Sequence, residues 1–218
     1  MSSGTTSNPT KRQGPAPLAD YQGLKEDADC CALAGELGRA RSLYCQALEL
    51  EPHRAGAYAG LGVVALAEGR PYEAQGYFEL ARDLDRNCLE ACSGLAMIYQ
   101  DRKQYRQAFN MYLRCLEIDA DNLMALLGLF QASCQMGTFS MIVQYLKVYL
   151  SRHGDDAAVL FCLATLYARE GSLPAAREAV LKVLSLQPDN AEAAALLDRI
   201  EQTLCRSRGA ETANDARP

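Results

Sequence analysis

Five short turns recur along this chain at a fixed interval, and that interval limits what the chain can become. The segments GELGRA, EGRPYEA, RKQYRQA, GTFSMI and GSLPAA end at Ala40, Ala74, Ala108, Ile142 and Ala176, each 34 residues after the one before. Five residues earlier, on the same step, stand Gly35, Gly69, Lys103, Gly137 and Gly171. Four residues after each segment comes a bulky side chain: Tyr44, Phe78, Tyr112, Leu146 and Val180. A fixed period with no insertion is the signature of an array of identical supersecondary units, in which each unit buries its apolar face only against its neighbours.

Each unit carries the helical spacing twice. In the second, Tyr58, Leu61, Gly62 and Ala65 mark one face at i, i+3, i+4 and i+7. Gly69 then suits the left-handed position that ends a helix, and Pro71 the first turn of the next. Ala74, Phe78, Ala81 and Leu84 continue on a second helix, while Asn122, Asp156 and Asn190 stand where a following helix needs an N-cap. Gly62, Ala96 and Ala164 on first helices, and Ala74, Ala108 and Ala176 on second helices, predict close approach of neighbouring axes.

Composition removes several classes of function. Twenty-two basic against 27 acidic side chains, a net charge of −5, argues against a nucleic-acid binder. No apolar run approaches the roughly 18 residues that cross a bilayer. The opening MSSGTTSNPTKRQGPAPLAD has no apolar h-region, which predicts a cytoplasmic, reducing compartment where the nine cysteines stay free thiols. The odd count, and the absence of C-x-x-C, argue against a disulfide framework. Cys88 and Cys92 lie one helical turn apart, but His53 and His153 are remote from them, so no metal site is expected. No G-x-x-x-x-G-K-[ST] loop occurs, nor a nucleophile with a base in register. The expectation is a non-enzyme with no cofactor and no metal.

The pattern resembles the tetratricopeptide repeat, with Pro52 and Pro188 at that family's proline position and Leu24, Tyr58, Cys92, Leu126 and Leu160 at its tryptophan position. The resemblance implies an all-α, right-handed superhelical solenoid. Its five repeats are 21–54, 55–88, 89–122, 123–156 and 157–190, followed by a capping helix over 191–205. The flanks, 1–20 and 206–218, are small and polar and read as disordered tails. Asp27, where other units carry an apolar residue, suits a terminal unit facing water. Phe130, Ile142 and Tyr149, large where most units are small, predict helices pushed apart in the fourth unit.

In this family the first helices line a concave groove that holds a partner peptide or helix. Carried over position by position, the groove begins at Lys25 and Asp29 and passes through Ala59, Val63 and Leu66. The partner-binding residues expected are Val63, Met97, Met124, Leu127, Gln131, Phe161, Thr165 and Arg169. The family's carboxylate-gripping Lys, Arg and Asn set is missing, so an apolar ligand face is expected instead, since Met adapts to irregular surfaces. Met124 and Phe161 could equally be ordinary core. The implied function is an adaptor or scaffold for another protein. A chaperone-like holder of an aggregation-prone partner and a self-assembling homo-oligomer remain open alternatives.

Overall fold

The computed structural model describes residues 20–215, so most of the N-terminal tail expected over 1–20, and the last three residues, lie outside the described residues. Eleven helices follow one another among the described residues: α1 Tyr21–Leu33, α2 Leu37–Leu50, α3 Ala55–Ala67, α4 Pro71–Leu84, α5 Leu89–Asp101, α6 Tyr105–Ile118, α7 Leu123–Met136, α8 Ser140–His153, α9 Ala157–Arg169, α10 Leu173–Leu186 and α11 Ala191–Asp215. The odd-numbered helices start at residues 21, 55, 89, 123, 157 and 191, so the 34-residue step of the sequence is also the step of the solenoid.

The turns within units share one chemistry. Gly35, Gly69, Gly137 and Gly171 adopt positive φ, and Lys103 does so at 59° in the third unit. The residue after each donates its N–H five residues back: Glu36 to Cys31 O, Arg70 to Ala65 O, Gln104 to Tyr99 O, Thr138 to Ser133 O and Ser172 to Tyr167 O, at 2.8–3.2 Å. That bond caps carbonyls the ending helix leaves unpaired, which is why the left-handed residue must sit there. Four of the odd-numbered helices are capped by side chains, whereas Arg54 and Cys88, before α3 and α5, make no such bond. Asp20, Asn122, Asp156 and Asn190 accept from the backbone N–H groups of Gly23, Ala125, Val159 and Ala193 at 2.7–3.0 Å.

Packing repeats as well. The side chain four residues after each turn alanine enters the next unit, where the sequence supplies a glycine to receive it. A Cβ on Gly60 would lie 2.2 Å from the Tyr44 ring, one on Gly94 2.4 Å from Phe78, and one on Gly128 2.3 Å from Tyr112. Phe78 is also closed in from its own unit, since a Cβ on Gly62 would meet its ring at 2.6 Å. Where the side chain shrinks to Leu146 and then Val180, the equivalent receiving positions are Cys162 and Leu196, in the same core clusters. The core is therefore four linked clusters strung along the stack, as nearest-neighbour architectures require.

The fourth unit departs from this regularity. Helix α8 begins at Ser140, one residue later than the step would place it, and stands off from α7 and α9 compared with the paired helices elsewhere. Ile142 and Tyr149 are buried and Phe130 packs on the same cluster, so large side chains occupy the space that small ones leave empty in other units. At the far end, α11 runs ten residues past the expected end of the capping helix, so 206–215 continue as helix in place of the expected tail. Ala193, Leu196 and Ile200 are its buried face, sealing the last repeat against solvent.

Candidate groove for a protein ligand

Helices α1, α3, α5, α7 and α9 bring the expected groove positions into one series. At its N-terminal end Lys25 donates to Asp29 Oδ2 at 2.7 Å, and the Tyr44 hydroxyl donates to Asp29 Oδ1 at 2.6 Å. Burial, with the Asp29 carboxylate beside it, pushes the Tyr44 phenol well above its ordinary value. Lys25, Asp29, Leu33, Val63 and Glu90 frame a pocket of about 250 Å³.

The middle of the series is apolar and open. Val63, Met97 and Met124 are 46%, 56% and 77% exposed. Between α5 and α7, Gln100 Nε2 donates to Gln131 Oε1 at 2.6 Å, so the amide of Gln131 is oriented by its neighbour. Two expected contact residues are less available than the sequence suggested. Leu127 is half-buried against the central cluster and Phe161 against the C-terminal one, so each combines a core role with a partly open edge. They point toward the core because they sit at the fifth position of their helices, one residue from the most buried stripe.

Toward the C-terminal end, Thr165 Oγ1 donates to Phe161 O at 2.9 Å, satisfying its hydroxyl within α9. Arg169 Nη1 donates to Cys134 O at 3.3 Å, and its guanidinium lies 5.7 Å from the centre of the Phe139 ring. The residues that sequence reasoning missed are on α11. Arg199, Ile200 and Thr203 close the end of the groove together with Thr165 and Arg169. Their i, i+1, i+4 spacing puts them on one face of α11, but spacing alone does not distinguish a ligand-facing side of a terminal helix from a solvated one.

Among the described residues no group of three or more His, Cys, Asp or Glu could hold a metal ion. Burial pushes the thiols of Cys88 and Cys115 up to about 11 and that of Cys162 to about 12, so they stay protonated near neutrality. His153 stacks on Tyr149 at 4.4 Å and places Nε2 3.0 Å from Asp121 Oδ1. No helix among the described residues is long and apolar enough to cross a membrane.

The family model described as tetratricopeptide repeat matches residues 89–122, which is the third unit from the first residue of α5 to the cap of α7. The fold of the whole stack is that of YrrB, a tetratricopeptide-repeat protein described as having an unusual peptide-binding site. The TM-score is 0.67 at 22% identity, over 80% of this chain and 90% of that one. Residues 89–122 thus match the tetratricopeptide repeat, and the stack has the fold of a solved tetratricopeptide-repeat protein. PilF of Pseudomonas aeruginosa shares the fold with a TM-score of 0.68 at 20% identity, over 88% of this chain and 87% of that one. In sequence, anaphase-promoting complex subunit 3 of Schizosaccharomyces pombe is 27% identical over 90 residues, 41% of this chain but only 14% of that subunit.

Proposed function

We propose that the chain is a non-catalytic adaptor that holds a peptide or amphipathic helix of another protein in the groove formed by α1, α3, α5, α7 and α9. The observation that carries this reading is the exposure of Val63, Met97 and Met124 on successive first helices. Apolar side chains left in water on a concave, multi-helix surface gain free energy when a ligand covers them. Methionine thioethers adjust to ligands of differing shape, and the oriented amide of Gln131 offers a polar group for register.

The test replaces Met97 and Met124 with glutamate together. Both are exposed, so the melting temperature should move by no more than about 2 °C, as surface substitutions do. A protein that co-purifies with the unaltered chain should be lost from the double variant. Equal recovery of that protein from an intact double variant would refute the groove.

A further inference from the structure

We infer that the C-terminal end of the groove is a carboxylate-reading pocket, taking an acidic side chain that neighbours an apolar one on the bound segment. This deepens the proposed groove and rests on it. The pocket, about 320 Å³, lies between α9 and α11 and is lined by Thr165, Ala168, Arg169, Leu173, Leu196, Arg199, Ile200 and Thr203. Two guanidinium groups stand at its rim over an apolar floor, and no lining residue is acidic.

The two guanidinium groups bring positive charge to one pocket without a carboxylate beside it. Arg39, Arg41, Arg54, Arg70, Arg82, Arg114, Arg152 and Arg177 each have a carboxylate within ion-pair distance. Among the described residues Arg169 and Arg199 have none, as is true of Arg86, Arg102, Arg106 and Arg206, but Arg169 and Arg199 line one pocket together. Of the five donors on the Arg169 guanidinium, one is used on Cys134 O, and the Phe139 ring beneath it fixes where the group stands. Arg206, seven residues beyond Arg199, continues the same face of α11. A planar fork held in place over an apolar floor suits a carboxylate attached to an apolar backbone of contacts. At the opposite end of the groove stand Asp29 and Glu90 with Lys25. The two ends thus differ in charge, which fixes the direction in which a segment lies.

The test uses the full chain and two random twelve-residue display libraries, one with the peptide fused at both ends and one with a free C-terminus. Expected is enrichment of Asp or Glu beside Leu, Ile, Met or Phe in the fused library, which identifies the side-chain carboxylate. Enrichment in the free-end library alone, without Asp or Glu, would assign the pocket to a chain-terminal carboxylate and overturn the side-chain form. By calorimetry, replacing that Glu by Gln in a selected peptide should weaken binding about tenfold or more. With Arg199→Gln, which alters an exposed side chain, the Glu and Gln peptides should bind alike; Arg169→Gln should do the same. Peptides enriched only in apolar residues, bound equally by both variants, would overturn the pocket and leave the groove standing. No enrichment in either library would overturn both.

Discussion

Glycine-to-alanine substitution inside a helix ordinarily stabilises by about 0.5–1 kcal/mol, because alanine loses less backbone entropy. At Gly94 the sign should reverse. A Cβ there would fall 2.4 Å from two atoms of the Phe78 ring and 2.8 Å from a third. Ordinary contact needs roughly 1 Å more, and the ring cannot retreat: it is fully buried, with Gly62 against its other side. Forcing an extra methyl into such a site costs about 3 kcal/mol, the upper part of the overpacking range. Subtracting about 1 kcal/mol of propensity gain leaves about 2 kcal/mol net loss, or roughly 4–8 °C in melting temperature for a chain of this size. Gly76→Ala on α4, where nothing lies within 4 Å of the added carbon, is the control and should be stabilising. Phe78→Leu should rescue Gly94→Ala in a double-mutant cycle, because the chain itself pairs Leu146 with Cys162 at the equivalent positions. Thermal unfolding by circular dichroism reads all four variants. If Gly94→Ala and Gly76→Ala both stabilise, the ring-in-slot packing is wrong.

Lys103 is the one non-glycine residue with positive φ among the described residues, so Lys103→Gly should raise the unfolding free energy by about 1 kcal/mol in a denaturant titration; Gly69→Lys should lower it. Ellman's reagent at pH 8 should modify Cys30, Cys45 and Cys205 quickly, and Cys88, Cys92, Cys115 and Cys162 only on unfolding. The buried thiols also make stability pH-dependent. Their folded pKa values, about 11 for Cys88 and Cys115 and about 12 for Cys162, exceed the unfolded value of about 8.5. The contribution is therefore complete below about pH 8.5 and lost as pH rises through 11 to 12. Denaturant midpoints between pH 8 and 11 should fall, and fall less in Cys162→Ala measured against its own pH 8 value.

The repeat was legible because one local signal, a left-handed residue with a small or apolar residue five positions on (alanine in four units, Ile142 in the fourth), recurs on every step and marks the same turn each time. The ring-receiving glycines were harder to read. Gly60, Gly94 and Gly128 share the period of the turn glycines, and only the next unit's geometry reveals that they face Tyr44, Phe78 and Tyr112. The groove was partly legible for a similar reason. Position within a repeat gives the positions expected to face a ligand, and of these Met97 and Met124 are exposed. It does not say how deep a side chain sinks between units, and Leu127 and Phe161 sink halfway into the core. The end of the array has no following unit to set a register, so neither the reach of α11 nor the place of Arg199 beside Arg169 follows from periodicity.

The groove itself is tested most directly by placing a photo-crosslinking amino acid at one position at a time in the full chain, in cells. Met97 and Met124 lie on the first helices, whereas Met141 is exposed on α8, a second helix. Crosslinks from 97 and 124 to one and the same protein, with none from 141, are the expected result. A partner joined through 141 while 97 and 124 stay silent would show that the ligand lies on the other surface of the solenoid.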